Sequence, residues 1–435
     1  MKTFTDQNGL IVIADIDANK LSILCDELHV LHTAIINKAD HPFRKIKGIH
    51  FARFVIFPDP LATQPPGQLF RLVYSCTYDG LLDTYLQAIT AGETISPFER
   101  IFSCCKDYDP AVPPAAAITT FIKGHTQRVD AYYSGYRGLS NDIISKEAEI
   151  YTLIQQFLRE RTFAATDDPK FIKQEIVRYI HEHVPDYSHI KAVPLPYIKP
   201  LYAGLLIGLL LVGILVLAGI IHLYLLGALV ALIAGIVFYL RRLEQTAPEL
   251  PDTEQEVAAV PSLTKDEDFY AQNQLSHLVA INPGGFRLGV LRTVLWLINL
   301  LAKYSFNKGA LGGICTIHFA GWSILEKERS LLFFSNFDGS WENYLSDFVD
   351  RAAVGLTGVW SNTINFPRTS WLAFKGAADE ERFKNWTRKY QIHTQVWYSA
   401  FEELTVKNIL RNHHIALGLN QEMNDTQTKQ WLNLL

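Results

Sequence analysis

YDGLLDTYL at residues 78–86 is written again as FDGSWENYL at 337–345, and IHFA at 49–52 returns as IHFA at 317–320. HTQ at 125–127 recurs at 393–395, and YSGYRGLS at 133–140 recurs as YSAFEELT at 398–405. Four matches in one order read as two halves built on a single packing plan. CTIHFAGWSIL at 315–325 and LLFFSNFD at 331–338 read as antiparallel strands around the charged EKERS. From Ser340 to Ala353, residues Tyr344, Leu345, Phe348, Val349 and Ala352 fall at helical spacing, whereas HTQVWYSAF at 393–401 alternates like a strand. Phe286 to Lys303 reads as a helix with Val290, Val294, Leu297 and Leu301 on its apolar side. Helix, strand, strand, helix, strand is the order of a ferredoxin-like βαββαβ unit, given a first strand at 10–15 in one copy and at 277–282 in the other.

Between the copies, residues 201–240 depart from apolar or small types only at His222 and at Tyr202, Tyr224 and Tyr239. One crossing needs about 20 apolar residues, so the stretch reads as a two-helix transmembrane hairpin, near 201–219 and 223–240. Lys191 and Lys199 precede it and Arg241 and Arg242 follow, which places both termini in the cytoplasm. Gly204 and Gly208 form a GxxxG that serves close helix contact, within the hairpin or in a homo-oligomer. The expected organisation is a first repeat with extra C-terminal helices at 1–190, the hairpin at 200–242, an acidic flexible linker at 243–268 and a second repeat at 269–435. The expected fold class is therefore α+β, with two ferredoxin-like βαββαβ repeats around a pseudo-twofold axis flanking a membrane hairpin.

A net charge of −4 and a pI near 6.4 imply no dominant basic surface, which argues against nucleic acid as a partner. Five cysteines, odd in number and without CxxC spacing, suit a reduced compartment and no zinc site. No GxGxxG, Walker A, HExxH or GxSxG occurs, so the usual nucleotide, zincin and hydrolase readings lose their support.

Asp79 and Asp338 each end a strand, precede a glycine and have an acid four residues on. Two readings stay open: a general acid or base at the mouth of a sheet, or a cap on the helix that follows. His50 and His318 recur as a pair, as do His125 and His393, and could be metal or haem ligands, acid/base groups or hydrogen-bonded core residues. Tyr133 and Tyr398 either line a pocket or pack across strands.

The segments IHFAGWSIL, FFSNFDGSWENYLSDFVDRAAVGLTGVWSN and HTQVWYSAFEELTVKNI resemble a group of bacterial membrane-associated proteins with no assigned activity, over most of 282–411. More distantly, paired ferredoxin-like units with an Asp-Gly after a strand resemble the dimeric α/β-barrel proteins, which include the dye-decolourising peroxidases. That family's GxxDG loses its leading glycine here, to Ser335 and Cys76. The resemblance implies a peroxidase- or monooxygenase-like oxidoreductase on an amphipathic or lipid-derived substrate, with Asp338 or Asp79 handling protons and haem held by His393, His318 or His125. The alternative is a non-catalytic lipid- or partner-binding scaffold. The lipid bilayer and a lipid-derived small molecule are the expected partners.

Overall fold

The architecture comes from a computed structural model that describes residues 6–58, 67–164, 167–185, 195–196, 207–214, 216, 223–246, 248, 271–325, 329–370 and 374–435. The first half runs β1 (Gln7–Asp15), α1 (Leu21–Ile36), β2 (Ile49–Phe57), β3 (Arg71–Asp79), α2 (Leu82–Ile89), α3 (Ile95–Phe102), α4 (Pro114–His125), β4 (Ala131–Ser134), α5 (Asn141–Glu160) and α6 (Pro169–His183). After α7 (Leu223–Thr246) the second half runs β5 (Gln272–Ala280), α8 (Gly285–Tyr304), β6 (Ile317–Leu325), β7 (Ser330–Asp338) and α9 (Trp341–Trp360). A two-strand ribbon of β8 (Thr369–Ser370) and β9 (Phe374–Lys375) leads to α10 (Glu380–Tyr390), β10 (Val396–Ser399), α11 (Val406–Leu419) and α12 (Asp425–Leu432).

The strands form two antiparallel four-stranded sheets, in the orders β1-β3-β2-β10 and β5-β7-β6-β4. Each sheet therefore takes its fourth strand from the other half of the chain. Val396 to Ser399 pair with Phe54 to Phe51, and Ala131 to Ser134 pair with Trp322 to Phe319. A ferredoxin-like βαββαβ unit would keep its last strand, so the expectation of two such repeats flanking a transmembrane hairpin is corrected to an α+β fold with exchanged strands.

Burial explains why the central strands read as continuous apolar runs rather than as alternation. Every residue of β2 is buried, because both faces of its sheet are covered. Leu10, Val12 and Ala14 point to the outer core beneath α1, α3 and α4, while Ile11, Val55 and Val73 meet Leu325, Leu332 and Phe334 of the facing sheet. The second sheet packs its outer face on α8, α9 and α10 through Leu291, Leu295, Phe348, Trp360 and Trp386. A separate helical core joins α5, α6, α11 and α12 around Ile150, Ile176, Ile415 and Trp431.

The membrane assignments need correction. Among the described residues one helix, α8, is long and apolar enough to cross a membrane, and 22% of its apolar window is buried. A core helix of an ordinary domain passes the same test of length and composition, so a two-span integral membrane protein with both termini cytoplasmic is not supported. Of the expected first span at 201–219, residues 207–214 and 216 are described and helical, with Ile207, Leu209 and Leu211 exposed. The rest of that span, residues 219–222 of the hairpin turn and nearly all of the acidic linker at 243–268 lie outside the described residues. The expected second span falls in α7, whose charged end docks on the α+β body. There Glu244 is 4% exposed and accepts hydrogen bonds from Thr369 Oγ1 and Arg241 Nη1, and the Tyr239 ring meets Phe286 edge-on at 5.2 Å.

The apolar face of α8 is also rotated from the sequence reading. Leu291, Leu295 and Ala302 are buried, while Leu297 and Leu301 are more than 40% exposed. Helical periodicity identifies an apolar helix, but one with apolar residues on several sides leaves the contacting face to be chosen by the sheet it meets.

Candidate functional site

Two matched clusters sit where each exchanged arm crosses the opposite sheet. In both sheets the register slips at a histidine, between Ile49 and Phe51 and between Ile317 and Phe319. Such a bulge re-aims one side chain, and here it carries His50 and His318 onto the carboxylates that end the neighbouring strands. His50 Nε2 lies 2.9 Å from Asp79 Oδ1, and His318 Nε2 lies 2.7 Å from Asp338 Oδ1. Gly80 and Gly339 then take φ of +78° and +82°, a conformation that L side chains rarely adopt, and turn the chain into α2 and α9.

The second oxygen of each carboxylate caps a helix, but not the helix that follows it. Asp79 Oδ2 accepts from the Asn141 backbone N–H at 2.8 Å, and Asp338 Oδ2 accepts from that of Val406 at 2.9 Å. These are the first residues of α5 and α11, the helices at the ends of the two arms. The helix after Asp338 is capped by Ser340 instead, and the one after Asp79 has Leu81 at its N-cap and no side-chain cap. The local capping expectation is thus right in kind and wrong in target.

Each arm engages both clusters. The Gly135 N–H donates to His318 O at 2.8 Å before α5 reaches Asp79, and the Ala400 N–H donates to His50 O at 2.9 Å before α11 reaches Asp338. Gly135 passes so close that a Cβ would lie 2.4 Å from Ile317 O, so only glycine fits. Gln7 and Gln272 add matched bonds: Gln7 Nε2 donates to Leu139 O while its Oε1 accepts from Ser134 Oγ, and Gln272 Nε2 donates to Phe401 O while its Oε1 accepts from Ser399 Oγ.

The clusters differ in the residue that faces the histidine ring. Tyr136 Oη lies 3.2 Å from His318 Nδ1, whereas the corresponding Phe401 packs edge-on against His50 at 5.6 Å and leaves His50 Nδ1 with no hydrogen-bond partner. Tyr136, His318 and Asp338 resemble a relay in outline. Yet Tyr136 is 1% and His318 0% exposed, and burial pushes the Tyr136 phenol well above its ordinary pKa, the opposite of an activated hydroxyl. A general acid or base needs a proton-accepting position within reach of substrate. Both oxygens of Asp79 and Asp338 are engaged by the fold itself, and neither carboxylate lines the described cavities.

The histidines proposed to hold a cofactor are not brought together. His318 is enclosed, with both ring nitrogens engaged by Asp338 and Tyr136. His125 ends α4, its Nδ1 on Phe121 O at 2.9 Å and its Nε2 3.7 Å from Asp107. His393 lies beside Gln395. No group of three or more His, Cys, Asp or Glu suited to a metal occurs among the described residues. This set does not fit a haem. Tyr133 and Tyr398 are packing residues, Tyr133 fully buried and Tyr398 stacked on Phe43. Cys104 and Cys105 are buried, and burial pushes the Cys105 thiol up to about 12, which makes a reactive pair unfavourable.

Sequence reading passed over two buried polar groups. Arg53 spans the two sheets, donating from Nη1 to Gln274 Oε1, Leu275 O and Ser276 Oγ and from Nη2 to Ser335 O and Asn336 Oδ1. Its counterpart Gly321 has no side chain, and that divergence was the only signal available. His277 is 1% exposed among Trp360, Trp386 and Tyr390, and neither ring nitrogen finds a hydrogen bond.

Burial lowers the His277 pKa to about 3, against an unfolded value near 6.5. A depressed folded pKa gives stability that is full above pH 6.5 and is lost as pH falls toward 3, because the unfolded chain takes up the proton first. His277→Leu is therefore expected to flatten the acid limb of stability between pH 6.5 and 4, measured by denaturant titration at each pH. An unchanged slope would assign acid sensitivity to other groups, such as His41, whose pKa burial lowers to about 4.

No family model matches the chain, and neither does any curated protein or solved structure.

Proposed function

We propose that the protein is a non-catalytic scaffold that holds an apolar surface against lipid. The observation that carries this reading is α7, where every residue from Gly227 to Tyr239 is exposed, including Val230, Leu232, Ile233 and Phe238. Through the Tyr239–Phe286 contact this surface adjoins α8, which exposes Trp296, Leu297, Leu300 and Leu301. Burying each such side chain is worth about 1.5–3 kcal/mol, so a surface of this extent strongly favours an apolar phase.

Lipid suits it better than a single protein groove. A helix that docks in a groove needs one apolar stripe, whereas α7 is apolar around its whole circumference from Gly227 to Phe238. The buried His–Asp pairs support the non-catalytic part of the reading, since they serve as clasps that fasten the exchanged arms. Contact with lipid through α7 and α8 requires neither two spans nor a fixed orientation.

The test is co-flotation of the full chain, exchanged from mild detergent, with phosphatidylcholine vesicles. The chain is expected to float, and Ile233→Asp combined with Val237→Asp to reduce the floating fraction about tenfold while near-UV circular dichroism stays unchanged. Equal flotation of both proteins, or sedimentation of the unaltered chain away from the vesicles, would overturn the reading.

A further inference from the structure

We infer that the groove between α6 and the segment joining α11 to α12 binds an amphipathic monoanion, an acyl carboxylate, with its head on Lys173 and its tail along Val177, Leu419 and Met423. The groove has a volume of about 780 Å³, within the range of small-molecule sites, roughly 300–1,000 Å³. Its floor is apolar and belongs to the helical core, where Val177 and Met423 are partly buried and Leu419 is buried.

Lys173 is the group that points to a ligand. It is 9% exposed, a rare state for a lysine without an acidic partner. Its ammonium donates to Gln421 O and lies 5.7 Å from the centre of the Trp431 ring. An ammonium has three donors, and one backbone acceptor leaves two for an anion. Burial also holds the Lys173 pKa below its ordinary value, the mark of a cation whose charge is incompletely compensated.

The other lining cations are already paired, Lys170 with Asp425 at 2.7 Å and Arg178 with Glu175 at 2.5 Å. Glu182 and Glu422 are on the exposed rim, where solvent screens them. Their charge favours a singly charged head over a dianion. The site is separate from the α7 and α8 surface, and the inference stands or falls independently of lipid contact there.

The experiment is photolabelling of the full chain with a diazirine-bearing hexadecanoate and, in parallel, with its methyl ester, followed by mapping of adducts by mass spectrometry. Adducts of the acid are expected on 170–182 and 419–423, about tenfold fewer in Lys173→Met, largely retained in Lys173→Arg, and few with the ester. Met423→Gln, which makes the floor polar without adding a charge, is expected to reduce labelling as well. Dodecanoate is expected to compete and inorganic phosphate not to, which separates an amphipathic ligand from a free anion. Equal labelling by acid and ester, unchanged labelling in folded Lys173→Met and Met423→Gln, or displacement by inorganic phosphate would overturn the inference. Adducts confined to α7 and α8 would overturn it too, while leaving lipid contact at that surface intact.

Discussion

Asp338→Ala is expected to destabilise the fold by about 3–4 kcal/mol, which would be seen as a lower denaturation midpoint for the whole α+β body. The substitution removes the acceptor of the Val406 N–H, a capping loss of about 0.5–2 kcal/mol. It also strands the fully buried His318 nitrogen, at about 1–3 kcal/mol. Asp338→Asn keeps an oxygen for Val406 and should lose only about 1–2 kcal/mol. Combining Asp338→Ala with His318→Phe is expected to recover part of the loss, because both members of the buried pair are then gone. Asp79→Ala should behave like Asp338→Ala, since the His50 and Asn141 bonds have the same form. An Asp338→Asn protein of unaltered stability that loses a measurable turnover would instead make Asp338 a reacting group and overturn the clasp.

Arg53→Met is the second large effect, about 3 kcal/mol. Its guanidinium reaches from β2 to β5 and β7 at once, and it also lies 4.9 Å over the Phe334 ring. Removing it withdraws five hydrogen bonds from buried acceptors. Unpaired buried acceptors are worth about 1–3 kcal/mol each, but the sum is reduced because Gln274 Oε1 also accepts from Thr394 Oγ1 and Asn336 Oδ1 also accepts from Trp397 Nε1. Arg53→Lys keeps the charge without the planar fork and should lose about half as much. Denaturant titration of the three proteins checks the order. An Arg53→Met midpoint equal to that of the unaltered chain would show that the sheets do not depend on this bridge.

The two predictions concern different links between the same parts. The clasps tie each arm to both sheets, and Arg53 ties the sheets to each other. A cavity of about 30 Å³ lies beside Arg53 and its sequence counterpart Gly321, lined also by Gly9, Thr77 and Tyr132. That volume holds about one water, so this cavity does not admit an amphipathic substrate.

By itself the sequence determined the central strands, the helices after Phe286 and Ser340 and the positions of the matched groups. Apolar runs at 49–57 and 317–325, the Asp-Gly pairs and the amphipathic spacing after Ser340 are local signals, and local signals survive folding. Tertiary structure alone decided which half each strand joins, which helix each aspartate caps and which side of α8 is covered. A capping rule searches the next few residues, but Asp79 and Asp338 cap helices 62 and 68 residues away. The strand pattern of β4 and β10 fits either sheet equally well, because pairing uses backbone groups common to both. Likewise, a forty-residue apolar stretch reports affinity for an apolar environment, and the number of crossings depends on where the chain goes between its ends.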